Sequence, residues 1–158
     1  MALGTPATVA LEAAGISFSS HSYTHDAANR NFGLEAASEL GLDAEQVFKT
    51  LMTEVDGRLV VAIVPVAGKL DLGALAAAVS GKRASMADPA VAQRKTGYVL
   101  GGISPIGQKT RLPTVLDETA ELFETIFVSG GRRGFDIGLA PADLLRITDG
   151  ITAPIARD

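Results

Sequence analysis

Apolar positions recur along the chain in helical and alternating rhythms, and the points where one gives way to the other divide it into elements. The stretch Thr5 to Ala14, TPATVALEAA, sets Val9 and Leu11 among alanines on a helical surface. Thr5 is the N-cap candidate, Pro6 suits the first turn, and Gly15 ends the helix. Ile16 and Phe18 alternate with serines, predicting a strand over Ile16 to His25 that leads into a turn at Asp26. A second helix is expected over Leu34 to Leu40, stopped by Gly41. Strand-like runs at Val47 to Val55 and Leu59 to Pro65 flank Asp56-Gly57, the two-residue signal for a type I′ hairpin.

Further along, Asp71 caps an alanine-rich helix over Leu72 to Val79 that Gly81 stops, and Asp88-Pro89 opens a helix running to about Lys95. Short strands are expected at Thr114 to Leu116, Thr125 to Ser129 and Phe135 to Leu139, then a helix at Pro141 to Thr148. Helices and strands mix without strict βαβ alternation. The pattern predicts one α/β domain over residues 1–158, on a mixed or largely antiparallel sheet.

Composition narrows the class. With 158 residues, 47% of them hydrophobic, the chain can fill a single core, and disorder is excluded as its main state. The longest apolar run, Leu59 to Ala67, falls short of the roughly 20 residues a membrane helix needs and contains Pro65. No Lys or Arg precedes Arg30, so a secretory signal is not expected and a cytoplasmic protein is. The chain has no Cys, which excludes disulfides, thiolate metal sites and a cysteine nucleophile from the protein itself.

Net charge is −4, which taken alone argues against a nucleic-acid partner, but its distribution is uneven. Between Lys82 and Arg111, six basic residues stand against Asp88 alone, a local +5 on a remainder of −9. That split suggests one basic face on an acidic body.

Four features could carry chemistry. His21 and His25 sit four apart beside Asp26; on a strand they would share a face, but the helix and glutamate of an HExxH site are missing and they read as surface histidines. The loops Gly101 to Gly107 and Ser129 to Gly134 could turn backbone amides toward a carbonyl oxygen or a phosphate, although neither is a Walker loop or a GxGxxG. Lys49, within VFKTLM, shares a strand face with Val47 and Leu51. It either snorkels to water or marks a site, since a buried unpaired ammonium is costly.

The segments HSYTHD, VFKTL, VPVAGKLDL, MADPAVAQRKTGYVLGGISPIGQK, RLPTVLD and VSGGRRGFDI, in this order over nearly the whole chain, resemble the bacterial YbaK family of Cys-tRNA(Pro) deacylases, relatives of the editing domain of prolyl-tRNA synthetase. The resemblance implies a trans-acting enzyme that hydrolyses the ester between cysteine and the terminal ribose of tRNA(Pro), on a single domain with a mixed, barrel-like sheet surrounded by helices. The family's lysine falls on Lys49 and its glycine-x-x-x-proline loop on Gly101, Gly102, Ile103, Ser104 and Pro105. Tyr23, Phe32 and Asp136 take its tyrosine, phenylalanine and late aspartate, while Thr50, Ser129 and Gly130 fall in the pocket. Lys49, Gly101 and Asp136 are thereby the expected catalytic residues.

In this family the substrate's thiol is thought to attack its own carbonyl carbon, so the enzyme supplies positioning and oxyanion stabilisation. No cofactor or metal is implied. The basic window gains a meaning, with Arg94, Lys95, Lys109 and Arg111 receiving phosphates of the acceptor stem behind the accessible CCA end. Prolyl-tRNA synthetase is the implied working partner, and no membrane is involved. The alternatives are the sister branch that removes alanine from tRNA(Pro) and a non-catalytic module that holds a CCA end.

Overall fold

A computed structural model describes residues 4–158, and its organising element is a strand buried on both faces. Strand β3 (Arg58–Pro65) lies inside a five-stranded sheet with β2 (Phe48–Val55), β5 (Ala84–Met86), β6 (Thr114–Asp117) and β9 (Ile151–Ala153), in the order β5-β2-β3-β6-β9. Val61 and Ile63 point into one core cluster, whereas Val60, Ala62 and Val64 point into another on the opposite face. Both faces are covered, so the run LVVAIVP is continuously apolar instead of alternating.

One face packs on helix α3 (Leu72–Ala78) through Leu75 and Ala76. The other meets helices α1 (Pro6–Ala13) and α5 (Pro141–Thr148) and a three-stranded sheet ordered β1 (Ser19–Ser22), β8 (Phe135–Leu139), β7 (Ile126–Arg132). Phe135, Ile137 and Val128 of that sheet join Phe48, Met52 and Leu116 of the larger one in a shared core. Helices α2 (Phe32–Leu40) and α4 (Pro89–Thr96) and a two-stranded pair of β4 (Lys69–Leu70) and β10 (Ala156–Arg157) complete the α/β domain.

Local chemistry accounts for most boundaries. Thr5 and Thr8 form a reciprocal capping box on α1, and Asp71 and Asp88 cap α3 and α4. Asp56 and Gly57 both adopt positive φ, 50° and 84°, the type I′ hairpin turn expected between β2 and β3. Gly41 and Gly97 take the left-handed position that ends α2 and α4.

The structure corrects three expectations. The sheets are open and separate, not a barrel: two antiparallel pairings and two parallel ones build the large sheet, and an isolated parallel bridge, Val47 to Phe127, joins it to the smaller one at a corner. The strand expected over Ile16 to His25 pairs only at Ser19–Ser22. Helix α3 ends at Ala78 with Val79 as its C-cap, and the left-handed residue that follows is Ser80 (φ 59°), ahead of the expected stop at Gly81. No helix among the described residues is long and apolar enough to cross a membrane.

Candidate active site

Five separate chain segments surround a cavity of about 510 Å³, a size suited to a small organic ligand. Strand β2 contributes Val47 through Leu51, and helix α2 with the segment before it contributes Arg30, Asn31, Phe32, Gly33 and Ala36. Tyr23 follows β1, Leu100, Gly101 and Ile103 come from the loop after α4, and the β7–β8 hairpin supplies Ser129, Arg132 and Asp136.

Lys49 stands on β2 opposite Val64 of β3 and is half-buried. Among the described residues it forms no ion pair, and burial, followed by the charge of Lys69, lowers its pKa. An ammonium so placed is a hydrogen-bond donor and a positive charge that no neighbouring carboxylate cancels. The adjacent Thr50 Oγ is the single buried side-chain polar atom with no hydrogen-bond partner among the described residues. Leaving such a hydroxyl unpaired costs about 1–3 kcal/mol, which a polar group of a bound ligand recovers.

Asp136 and Ser129 are cross-strand partners on β8 and β7, so sheet register brings them together. Burial raises the Asp136 carboxyl to a pKa of about 7, poised near neutrality between its acid and its base forms. Tyr23, pushed to about 12 by burial and then by the nearby carboxylates of Asp136 and Glu35, is a neutral phenol at any physiological pH. Its backbone is tied to the hairpin, because Tyr23 N donates to the Gly134 carbonyl at 2.9 Å.

The two glycine-rich segments differ from each other. The loop after α4 is anchored in the core: Tyr98 Oη donates to the Ile106 carbonyl, and Ile106 N donates to Ser104 Oγ at 3.2 Å. Gly101 sits at its cavity end with φ 86°, and a Cβ there would come within 3 Å of the Phe32 ring and Arg133 Nε. The second segment, Ser129 to Gly134, is mostly strand. It contains a bulge between Ser129 and Arg132 and ends in a two-residue turn, Arg133-Gly134.

Eight of the twelve expected catalytic and substrate-binding residues therefore meet at one wall: Lys49, Gly101, Asp136, Tyr23, Phe32, Thr50, Ile103 and Ser129. Gly102, Ser104, Pro105 and Gly130 lie behind it. The Gly102 amide is already committed to the Val99 carbonyl at 2.9 Å, Ser104 is fully buried, Pro105 borders a different cleft, and Gly130 packs on the Phe135 ring.

Arg94, Lys95, Lys109 and Arg111 are exposed and line no part of this cavity. The Thr110 amide donates to the Lys95 carbonyl and that of Lys109 to the Thr96 carbonyl, so the end of α4 and the segment after it run side by side. Sequence reasoning missed Arg30, Asn31 and Leu100, and met Arg132 only as part of the glycine-rich segment Ser129 to Gly134. Nothing in the local pattern around Arg30, Asn31 and Leu100 marks them, since packing between segments distant in sequence brings them to the cavity.

The histidines need a correction. His25 is not a surface side chain: it lies beyond the end of β1, and its Nδ1 is 2.6 Å from Oε1 of buried Glu35, whose Oε2 accepts from the Asp26 amide at 2.7 Å. His21 Nε2 lies 2.8 Å from Ser19 Oγ. Among the described residues no group of His, Cys, Asp and Glu could hold a metal ion.

Residues 33–147, spanning most of the cavity wall, match the aminoacyl-tRNA editing domain family. The chain belongs to that family. This editing domain is 42% identical over 121 residues to a candidate Cys-tRNA(Pro)/Cys-tRNA(Cys) deacylase, EbsC, of Enterococcus faecalis, covering 75% of the chain and 73% of the relative. It is 35% identical over 130 residues to the multifunctional Ser/Thr-tRNA deacylase ProXp-y of Escherichia coli, covering 78% and 76%. Among solved structures it resembles a candidate trans-editing enzyme for prolyl-tRNA synthetase at 26% identity, with a TM-score of 0.82 over 99% of this chain and 100% of the other.

Proposed function

We propose that this editing domain hydrolyses the ester of mischarged Cys-tRNA(Pro), acting in trans. The observation that carries the reading is a single cavity that assembles Lys49, Thr50, Tyr23, Ser129 and Asp136, in a chain without cysteine whose histidines stand outside that wall. Such a wall offers donors, a cation and a titratable carboxyl around a carbonyl, and it suits a reaction whose nucleophile arrives with the substrate. Editing of this kind is needed because a synthetase pocket discriminates between similarly sized amino acids only modestly.

In this mechanism the cysteinyl thiol attacks its own carbonyl carbon. The sulfur–carbon bond forms, the bond to the ribose oxygen breaks, the thiol proton passes to that oxygen, and water then opens the thioester. Lys49 and the Gly101 region stabilise the oxyanion. Thr50 Oγ and Asp136 hold the amino acid, and Lys49 also favours the thiolate, because a thiol with an ordinary pKa of about 8.5 ionises more readily beside a cation. Arg94, Lys95, Lys109 and Arg111 meet the acceptor stem, and prolyl-tRNA synthetase, working beside the domain, supplies the choice of tRNA.

Single-turnover hydrolysis of Cys-, Ser- and Ala-tRNA(Pro) at saturating enzyme tests the reading, since binding then drops out. Cys-tRNA(Pro) should be cleaved much faster than the serine ester, which differs by one atom but carries a far less acidic hydroxyl. Equal rates on the two would replace thiol attack with a positioned water and favour the activity named for the Escherichia coli relative. Inertness toward all three esters would refute the deacylase function.

A further inference from the structure

The mouth of the cavity carries positive charge that the ester chemistry does not use. Arg30 and Arg132 border the cavity, and both side chains are exposed. Arg133, next in the hairpin turn, lies over the Phe32 ring with its guanidinium carbon 5.2 Å from the centroid, and its Nε donates to the Leu100 carbonyl at 2.8 Å. Arg132 is seated similarly over Phe135 at 5.6 Å. None of the three forms an ion pair among the described residues.

Aromatic seating holds a guanidinium in place without neutralising it. With Nε occupied by Leu100, the two terminal nitrogens of Arg133 keep four N–H donors in a fork that matches two oxygens of a phosphate. The bulge at Gly130 and Gly131 and the tight turn at Arg133-Gly134 leave Arg132 on the cavity lining and Arg133 against two lining residues, Phe32 and Leu100. Beside them Val99 and Leu100 are exposed at 57% and 45%, an apolar surface next to a cationic one. Nucleotides present the same pairing, a flat base beside an anionic linkage.

We propose that Arg30, Arg132 and Arg133 form a phosphate-binding rim for the single-stranded 3′ end of an aminoacylated RNA, with Val99 and Leu100 as the bed for an adjoining base. The inference rests on the deacylase function above, which is what brings an RNA 3′ end to this mouth. It divides the labour among the basic side chains. The rim takes the unpaired end, while Arg94 and Lys95, in the last turn of α4, and Arg111, beside a different cleft, are left for the duplex stem.

The test measures binding by fluorescence anisotropy across a salt series. One probe is a 5′-labelled single-stranded hexaribonucleotide ending in CCA with a free 3′-hydroxyl, and the other is uncharged tRNA(Pro). Arg30→Gln, Arg132→Gln and Arg133→Gln should each weaken both probes roughly tenfold, as loss of a charge-assisted contact does, and flatten the log K against log salt slope by about 0.7. Arg133→Lys, which keeps a cation, should retain the slope. Arg111→Gln should affect tRNA alone.

Wild-type affinity and slope for the hexamer in the Arg132→Gln/Arg133→Gln double variant would overturn the rim. So would salt-independent hexamer binding by the unmodified protein, even if Cys-tRNA(Pro) is hydrolysed. Failure of the deacylase reading shows separately, as intact binding of both probes with no ester cleavage.

Discussion

Burial shifts two residues of the cavity in opposite directions, lowering the Lys49 pKa and raising that of Asp136. Half-buried and lacking an ion pair among the described residues, Lys49 contributes little that the core needs. Lys49→Ala should therefore leave the thermal unfolding midpoint close to wild type while lowering the single-turnover deacylation rate by about 10²–10³-fold, the usual consequence of losing one oxyanion donor. A folded variant with near-native turnover would remove Lys49 from the chemistry. Asp136 acts on stability with the opposite sign to a salt-bridged carboxylate. Its pKa of about 7 lies above the ordinary 3.8, so between these values the native state holds a proton that the unfolded chain has released. Unfolding free energy consequently falls as pH rises through that window, by on the order of 4 kcal/mol from this group, and levels off above about 7. Urea denaturation of wild type and Asp136→Asn at pH 5 and pH 8 should show the variant gaining relative stability at the higher pH. Parallel behaviour would mean that the carboxyl is not desolvated.

At the scale of elements, the loop after α4 works because its ends are fixed. Gly97 and Gly101 both carry positive φ, 82° and 86°, but only Gly101 faces the Phe32 ring and Arg133 within 3 Å. Alanine at either position pays backbone strain of about 1–2 kcal/mol. Gly101→Ala should in addition displace the loop from the cavity wall and lower deacylation well beyond Gly97→Ala, a comparison that separates strain from collision. Most elements were legible in the sequence because their signals are local: the Thr5 and Asp88 caps, the Asp56-Gly57 turn and the continuous apolar run of β3. Short strands such as β5 and β9 were not, since three residues carry no readable period. The second glycine-rich segment was misread for a related reason. A bulge is defined by the strand opposite, and Ser129-Gly130-Gly131 contains no trace of Phe135 and Asp136.

For the whole molecule, the resemblance pointed to residues of which eight line one cavity, but it could not sort wall from scaffold. Gly102, Ser104, Pro105 and Gly130 lie close in sequence to lining residues and yet brace them from behind, a difference decided by packing against Val99, the core, a separate cleft and Phe135. The open arrangement of sheets reflects the same reliance on distant contacts. Strand β1 near the start of the described chain pairs with β8 near its end, Ser19 against Gly138, and this pairing sets Tyr23 beside Asp136. Encounters between such remote segments come late and cost loop entropy before they return any contact. During synthesis, then, a nascent chain can complete the β2–β3 hairpin long before it owns an active site. If that cavity hydrolyses the ester as proposed, the growing polypeptide is silent toward the charged tRNAs that surround it until β8 has left the ribosome.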